Sequence, residues 1–411
     1  MGLRRLRTLR AQVWLSCSYW WYFAAVGCFG PYITLYYRDL QLSGIEIGVL
    51  TAILPLGVAF IAPVWGMLAD ARSAHRLILR GALLSAALTA LLLTRATSFV
   101  ALAPLIVLLA ICLAAIPALL DSYALTISER EGVSFGQMRV WGSLGFIAAV
   151  WLVAWRMGQH VSSFFLFAYA AALLLGAVVT LGLPHLRPRA LQPTSRGGSA
   201  IIKDRSVVTL LLCVFLVTSN ATFISSYLSI YLTEVGGSTR LVGTASALGA
   251  LSEVPLMVLG RRLIDRFNSR NIFVLAVGAY LLRFALYSIP PTAPLALPIQ
   301  LLHGLSFGLY LMASVTLIHE LAGRERAATA QGLLTSTSLG FGAITGSLAG
   351  GALLDRIGAV GIFRVGTVGM LVALGICLVS VRTISAAHAD EPDGLSSSPD
   401  ERRDRRLNDR T

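Results

Sequence analysis

Two oppositely charged side chains, Asp121 and Arg139, stand in apolar segments on either side of a short polar break. Each lies nine residues from Arg130, near the middle of that break. Because an α-helix rises about 1.5 Å per residue, a helical hairpin would hold the two charges at similar depth. Charges inside an apolar layer are costly, are usually paired and typically mark a solute path. We therefore predict that Asp121 and Arg139 bind a solute. The alternative is a static salt bridge that only locks the hairpin.

Three further polar residues, Glu253, Arg283 and His303, fall within separate apolar segments of the second half. Arg283 and His303 lie about six and seven residues from the same end of neighbouring predicted helices, which gives them similar depth. Burial raises the pKa of a carboxyl group and a nearby cation lowers it, so movement of Arg283 relative to Glu253 would load or release a proton. We predict a proton-coupling group. The alternatives are a purely structural Glu253–Arg283 pair and a His303 that serves only as a hydrogen-bonding side chain.

Aromatic residues gather in the first apolar segment and in its counterpart in the second half. Each segment carries two tyrosines four residues apart and so on one helix face: Tyr32 with Tyr36, and Tyr227 with Tyr231. We predict that Tyr32 and Tyr227, with Asn220 nearby, contribute to a solute-binding cavity. The alternative is an aromatic belt at the membrane surface, which we favour for Tyr36, Tyr37 and Tyr231.

The composition shows which elements must position these residues. Of 411 residues, 56% are hydrophobic and only 13% are charged, and the mean hydropathy is +0.75. A soluble domain carries about 25% charged residues, so this composition indicates an integral membrane protein. Apolar segments near 20 residues predict twelve transmembrane helices. They cover 12–36, 46–69, 77–94, 98–127, 137–156, 163–183, 207–232, 241–260, 271–289, 296–320, 330–353 and 361–381.

The two halves of the chain repeat at a constant offset of 195 positions. At this offset Tyr32 aligns with Tyr227, Gly48 with Gly243 and Asp70 with Asp265. The repeat predicts an all-α membrane protein made of two pseudo-symmetric six-helix bundles around a central cavity. The expected units are a first bundle at 1–183, a cytoplasmic linker at 184–206, a second bundle at 207–382 and a disordered cytoplasmic tail at 383–411.

The buried charges do not follow the repeat, which favours a functional over an architectural role. Their counterparts at the same offset are uncharged: Thr316 for Asp121, Val58 for Glu253, Leu88 for Arg283 and Leu108 for His303. Most Lys and Arg residues outside the helices lie on the side of the N terminus, so we expect both termini to be cytoplasmic.

Several function classes find no support in the sequence. The net charge of +13 comes from basic residues in short breaks between apolar runs, so membrane topology explains it and we expect no nucleic-acid partner. No phosphate-binding loop and no metal-ligand spacing appears, and the five cysteines fall in apolar runs. We expect a protein that is not an enzyme, that carries no metal or other cofactor, and that draws on a proton gradient.

The loop between the second and third predicted helices, Gly66-Met-Leu-Ala-Asp70-Ala-Arg72-Ser-Ala-His75-Arg76, resembles the loop pattern Gly-x-x-x-Asp-Arg-x-Gly-Arg-Arg of the major facilitator superfamily. Ala71 and Ala74 depart from that pattern. The resemblance implies a conformational latch on the cytoplasmic side, and the alternative is a simple inside-positive topology signal. The implied latch residues are Asp70, Arg72, Arg76, Asp265 and Arg266.

The segments Pro117-Ala-Leu-Leu-Asp121 and Phe135-Gly-Gln-Met-Arg139-Val-Trp-Gly-Ser-Leu-Gly-Phe146 resemble the phenylpropionate-transporter branch, which is related to lactose and nucleoside permeases. The resemblance implies that Asp121 and Arg139 bind the solute and that Phe146 takes the place of a sugar-stacking tryptophan. It also implies a second acid three residues after His303, where this chain has Ser306.

These observations together predict a proton-coupled symporter of a small organic solute, such as an aromatic acid, a nucleoside or a sugar. We expect a monomer in the lipid bilayer of the bacterial inner membrane that works by alternating access between its two faces. The alternatives are a proton-driven efflux antiporter, a non-transporting membrane sensor and an intramembrane enzyme.

Overall fold

The computed structural model describes residues 2–131, 134–184, 204–289, 292–323 and 326–389. Throughout these ranges the regular structure is helical, and ten helical segments are long and apolar enough to cross a membrane. The expectation of an all-α membrane protein is confirmed in this coarse form, whereas the count of twelve spans stays a prediction. Most of the predicted linker and tail, at 185–203 and 390–411, lies outside the described residues.

The helices are numbered here in chain order. The first half contains α1 (Gly2–Asp39), α2 (Gly44–Leu56), α3 (Ala62–Arg72), α4 (His75–Leu93), α5 (Phe99–Glu131), α6 (Phe135–Met157) and α7 (Phe164–Val179). The second half contains α8 (Arg205–Glu234), α9 (Thr239–Phe267), α10 (Ser269–Ser288), α11 (Ala296–Gln300), α12 (Leu309–Ala322), α13 (Ala327–Thr335) and α14 (Ala343–Ala389).

Three predicted spans contain a π-helical turn. The turns are Gly57–Ile61 between α2 and α3, Gly304–Gly308 between α11 and α12, and Ser336–Gly342 between α13 and α14. Such turns are frequent at functional sites. The turn at Gly304–Gly308 directly follows His303, so one π-helical turn lies beside a predicted site residue.

Two features separate the ten spanning segments from the predicted twelve. α1 is not one of the ten, because its Trp and Tyr residues lower its mean hydropathy. The predicted last two spans form one continuous run, Thr329–Val379, which crosses α13, the turn at Ser336–Gly342 and α14. That run is interrupted at Gly358, whose φ of 66° and ψ of 176° are not helical.

Side-chain caps fix where several helices begin. Ser43 and Glu46 form a reciprocal capping box at the start of α2, as each side chain accepts a hydrogen bond from the other residue's backbone N–H. Asp204 caps α8 and Ser238 caps α9 in the same general way. These polar residues therefore determine where the helices begin, because the long apolar interiors of the helices do not specify their ends.

The two halves pack closely at the end of the molecule that holds Arg38, Gly158 and Asp355, called here the Asp355 end. α2 packs on α14 and α6 packs on α9. A Cβ atom at Gly48 would lie 2.8 Å from the Ser347 carbonyl oxygen, and one at Gly243 would lie 2.5 Å from the Tyr32 hydroxyl. Glycine is therefore required where these helices cross.

Hydrogen bonds also join the halves at the Asp355 end. Asp355 accepts from the backbone N–H of Gly44 at 2.6 Å and pairs with Arg38 at 3.3 Å. On the other side, the backbone N–H of Arg240 donates to the Gly158 carbonyl oxygen at 3.0 Å. The start of α2 and the start of α9 are thus each anchored to the opposite half.

Candidate functional site

A cavity of about 280 Å³ lies between helices of both halves. Phe146 of α6 lines it from the first half, and Glu253 of α9 and Arg283 of α10 line it from the second. Its polar lining is completed by Ser225, Ser229, Ser246, Gln300 and His303. The cavity therefore combines an aromatic ring, several hydroxyl groups and ionisable side chains.

Arg283 is the centre of a polar group in this cavity wall. Its side chain is buried, with 1% of the residue exposed. Nη1 donates to Ser306 Oγ at 2.8 Å and lies 3.0 Å from His303 Nδ1. Nη2 donates to Gln300 Oε1 at 2.7 Å. A buried guanidinium of this kind is stabilised by neighbouring acceptors that replace water.

Glu253 completes the same group through His303. The His303 Nε2 atom lies 2.6 Å from Glu253 Oε1. The structure thus connects Glu253, His303 and Arg283 through successive contacts, and Arg283 and His303 lie together as their similar predicted depth indicated. We call these three residues with Gln300 and Ser306 the Arg283 group. Its role in proton coupling stays a prediction.

The π-helical turn after His303 helps to position its ring. The Gly304 backbone N–H donates to Ser252 Oγ at 2.9 Å, which holds the π-helical turn against α9. A Cβ atom at Gly304 would clash with the Ser252 carbonyl oxygen, so the close approach requires glycine. The imidazole stacks on Phe307, with ring centres 5.3 Å apart. These contacts bring the imidazole within reach of Glu253.

Asp121 and Arg139 form an ion pair, as the hairpin argument indicated. Arg139 Nη1 donates to Asp121 Oδ1 at 3.2 Å, and the Tyr19 hydroxyl donates to the same oxygen at 2.6 Å. The Arg139 guanidinium lies 5.4 Å from the centre of the Phe23 ring. The side chains of Arg139 and Asp121 are 45% and 38% exposed, so part of this pair is open to a ligand. We call these four residues the Asp121 group.

The Asp121 group and the cavity are neighbours along α6 rather than one site. The described residues that line the cavity include Phe146 but neither Asp121 nor Arg139. Phe146 follows Arg139 by seven residues, which is about two helical turns on the same face. Phe146 therefore links the two regions.

Sequence reasoning missed Tyr19 and Phe23 as members of the site. Both lie in the aromatic run Tyr19-Trp-Trp-Tyr-Phe23 of α1, where nearly every helix face carries a ring. Their four-residue spacing places both on one face, and that spacing was the signal available. Lipid tails and a helix interface are similarly apolar, so the sequence alone did not show which rings face inwards.

The other predicted solute-binding residues lie away from the described cavity lining. The Tyr32 hydroxyl donates to the Val150 carbonyl oxygen at 2.6 Å, and that of Tyr227 donates to the Ser347 carbonyl oxygen at 2.5 Å. Asn220 donates to the Leu216 carbonyl oxygen. All three are buried between helices. The two tyrosine contacts join helices within each half, whereas the Asn220 contact lies within α8, and a role in solute binding stays a prediction for all three.

The aromatic-belt interpretation is wrong for the remaining tyrosines. Tyr36, Tyr37 and Tyr231 are buried rather than turned towards lipid. Tyr231 donates to the Tyr287 carbonyl oxygen at 2.9 Å and packs edge-on against the Tyr287 ring. Burial of a tyrosine is favourable when its hydroxyl finds an acceptor, which explains this placement.

Two of the predicted latch residues of the first half, Asp70 and Arg76, make polar contacts near the turn between α3 and α4. Asp70 Oδ1 lies 2.9 Å from His75 Nε2. Arg76 donates through Nε to the Thr180 carbonyl oxygen at 3.3 Å and contacts the Leu181 carbonyl oxygen. Asp70 therefore contacts a histidine that the loop pattern does not include.

The remaining latch residues lie at the surface. Arg72 ends α3 and is exposed. Asp265 and Arg266 lie in the last turn of α9, and the Arg266 guanidinium is 5.3 Å from the Phe267 ring centre. Nothing in these contacts tests whether the five residues act as a latch, which stays a prediction.

Comparison with known proteins identifies the family. Residues 12–365 match the family model described as "MFS_1 like family". The chain is 32% identical over 351 residues to the maltose permease of Geobacillus stearothermophilus, covering 84% of this chain and 89% of that protein. It is 27% identical over 331 residues to the probable 3-phenylpropionic acid transporter of Escherichia coli (strain K12), covering 77% and 84% of the two chains.

A solved structure supports the fold. The crystal structure of a mutant of the nucleoside transporter NupG superposes with a TM-score of 0.83 at 17% identity, covering 90% of this chain and 99% of that one. These relatives are membrane transporters, so the expectation that the protein is not an enzyme is confirmed. The resemblance to the phenylpropionate branch and to nucleoside permeases is confirmed as well. This chain belongs to the MFS_1 like family of major facilitator transporters.

Proposed function

We propose that this protein is a proton-coupled symporter that takes up a small organic solute by alternating access. The observation that carries the proposal is the contact chain from Arg283 through His303 to Glu253 in the wall of the central cavity. A buried cation and a carboxylate that face one cavity are typical of transporters that move protons with a solute. Since the bilayer interior disfavours ions, such groups are rarely kept there for packing alone.

The proposed solute class is a sugar, a nucleoside or an aromatic acid. The named relatives are a maltose permease, a probable 3-phenylpropionic acid transporter and a nucleoside transporter. In this chain Asp121 and Arg139 offer acceptors and donors side by side, which suits the hydroxyl groups of a sugar or ribose. Phe146 supplies the apolar face, and the serine hydroxyls supply further polar contacts.

The proposed architecture has twelve spans in two six-helix bundles, at 1–183 and 207–382, joined by the linker 184–206 and followed by the tail 383–411. The length of α1 and the backbone break at Gly358 support two spans beyond the ten. We place both termini in the cytoplasm and the protein, as a monomer, in the bacterial inner membrane. The distribution of Lys and Arg supports this orientation.

With this orientation, the Asp355 end faces outwards and is closed. The backbone and side-chain contacts of Gly44, Arg240 and Asp355 hold the two halves together there. The partial exposure of Asp121 and Arg139, together with the closed Asp355 end, supports an inward-facing state. Release of the Asp355 end and closure by the Asp70 and Asp265 loops would produce the outward-facing state.

Transport into proteoliposomes tests the proposal. The purified chain is reconstituted, a proton gradient is imposed in either direction, and uptake of radiolabelled maltose, a nucleoside and 3-phenylpropionate is measured. Accumulation of one solute when the outside is acidic supports symport. Accumulation only with the gradient reversed, or none that depends on the gradient, contradicts it.

Two variants test the assigned residues. Arg139→Ala is expected to abolish uptake while the protein remains folded in the membrane. Glu253→Gln is expected to retain solute exchange across the vesicle but to lose accumulation, since the amide cannot carry a proton. Asp39→Asn, which changes an exposed carboxylate at the end of α1, is the matched control and is expected to accumulate solute normally. Uphill transport by Glu253→Gln would contradict its role.

A further inference from the structure

The contacts of Arg283 determine where the hydrogen atoms of its neighbours lie. A guanidinium has only N–H donors and no acceptor. Its Nη1 atom lies 3.0 Å from His303 Nδ1, so a hydrogen bond at this contact requires Nδ1 to be the acceptor. The single ring proton of a neutral imidazole must then reside on Nε2.

The second ring nitrogen fits this assignment. His303 Nε2 lies 2.6 Å from Glu253 Oε1, and a carboxylate oxygen is an acceptor. The Nε2–H therefore donates to Glu253, while Nδ1 accepts from Arg283. Both contacts of the His303 ring, with Arg283 and with Glu253, then pair one donor with one acceptor. No other placement of the histidine proton achieves this with Arg283 in its observed position.

We propose that Arg283 is a positioning residue that holds His303 in the neutral Nε2–H tautomer, so that Glu253 and not His303 takes up the proton. This inference rests on the proposed proton-coupled function. A second proton on His303 would turn a ring N–H towards the guanidinium N–H at 3.0 Å, with two like charges in an apolar setting. Protonation of Glu253 meets no such conflict, because its other oxygen can hold the proton while Oε1 still accepts from Nε2–H.

The other described side chains around Arg283 carry no carboxylate, so Glu253 supplies the negative charge of the Arg283 group. Ser306 accepts from Nη1 and its own hydroxyl donates to the His303 carbonyl oxygen at 3.2 Å. Gln300 turns its amide oxygen to Nη2. Among the residues that the structure describes, Tyr280 and Tyr287, on the same helix as Arg283, are the other titratable side chains that interact with it.

The net charge of the Arg283 group changes when Glu253 binds a proton, and this change would couple protonation to the position of Arg283. With Glu253 ionised, the group is neutral overall, because one cation and one anion flank a neutral imidazole. With Glu253 protonated, Arg283 is a buried cation without a balancing charge, which is unfavourable in low-dielectric surroundings. Proton uptake by Glu253 would thus destabilise Arg283 in its observed position. The neutral His303, which contacts both residues, would transmit the effect of Glu253 protonation to Arg283.

Nitrogen NMR of the full chain in lipid bilayers tests the assignment without measuring transport. Histidine is labelled with 15N and 13C, and His303 is identified as the signal lost in His303→Asn. We expect an unprotonated Nδ1 and a protonated Nε2, unchanged from about pH 5 to about pH 8, the range in which an ordinary histidine titrates. A proton on Nδ1, or two protonated nitrogens within this range, would overturn the proposal.

The variant Arg283→Met tests whether Arg283 determines the tautomer of His303. Methionine fills part of the same volume and donates no hydrogen bond, so His303 is expected to titrate or to populate both tautomers. An unchanged His303 spectrum in Arg283→Met would show that Arg283 does not set the tautomer. The wild-type spectrum decides the matter if the variant fails to fold. Vesicle uptake reports separately on the proposed function, since a fixed tautomer without gradient-driven uptake would refute that function alone.

Discussion

The hydroxyl oxygens of Thr34 and Ser229 lie 2.9 Å apart, and the two residues are separated by 195 positions. This separation equals the offset of the sequence repeat. Equivalent residues of two halves related by a two-fold axis touch only where that axis passes between them. The contact between α1 and α8 therefore supports a pseudo-two-fold axis at this point, close to the cavity-lining residue Ser229.

A larger side chain at Gly48 is expected to open the Asp355 end. Gly48→Leu would collide with the backbone of α14 near Ser347. Overpacking costs about 1–3 kcal/mol, so the balance should shift towards the open form by roughly 5- to 150-fold. A cysteine at the buried position of Thr34 reports this shift through its rate of maleimide labelling from outside.

The control for this variant is Gly81→Leu. A Cβ atom at Gly81 meets nothing within 4 Å, so its labelling rate at position 34 should match that of the parent chain. Equal labelling rates in Gly48→Leu and Gly81→Leu would contradict the assigned crossing.

Loss of Asp355 is expected to loosen the same end more than loss of Arg38. Asp355→Ala removes both the Arg38 pair and the acceptor for the Gly44 N–H, whereas Arg38→Ala removes only the pair. Exposed ion pairs contribute about 0–1 kcal/mol, while charge-assisted bonds to backbone are stronger. The same labelling assay compares the two variants. A greater effect for Arg38→Ala would show that the backbone contact matters little.

Removal of the Tyr19 hydroxyl is expected to weaken solute binding. Tyr19→Phe leaves the ring in place but deletes the donor to Asp121 Oδ1, which frees that carboxylate to move. We expect the concentration for half-maximal uptake to rise by roughly tenfold, equivalent to about 1.4 kcal/mol.

Tyr231→Phe is the matched control, because it deletes a similar buried bond, to the Tyr287 carbonyl oxygen, away from the Asp121 group. Its half-maximal concentration should stay near that of the parent protein. If the two variants behave alike, Tyr19 has no special relation to the solute.

The break at Gly358 is expected to require glycine. Its φ of 66° with ψ of 176° lies in a region that is almost exclusive to glycine, and a side chain there costs about 1–3 kcal/mol. Gly358→Ala should therefore lower the temperature of thermal unfolding. Gly375→Ala places a methyl group in open space within helical backbone and should not lower it. A Gly358→Ala protein as stable as the parent would argue against the observed backbone conformation.

The sequence predicted the helical class and the pairing of Asp121 with Arg139 because charged residues stand out against apolar helices and helix rise converts spacing into depth. The same argument anticipated that Arg283 and His303 lie together. It did not give the separation of the Asp121 group from the cavity, since that depends on how helices bend and rotate. The π-helical turn after His303 has no signal in hydropathy.

The burial of Tyr36 and Tyr231 shows the main limit of such reasoning. In a membrane, both the lipid-facing and the bundle-facing sides of a helix are apolar, so hydropathy does not assign a ring to either. The acceptor that allows the Tyr231 hydroxyl to be buried, the Tyr287 carbonyl oxygen, comes from a distant part of the chain. Only the tertiary arrangement reveals them.

The anchors of α2 and α9 at the Asp355 end differ in kind. Gly44 is bound to a carboxylate that also meets Arg38, and both side chains are in contact with solvent. Arg240 is bound to a backbone carbonyl of Gly158. Dissolved ions screen the first and scarcely affect the second. If the Asp355 end faces outwards as proposed, concentrated salt outside the cell should weaken the Gly44 contact while the Arg240 contact persists, so that this end separates at α2 before α9.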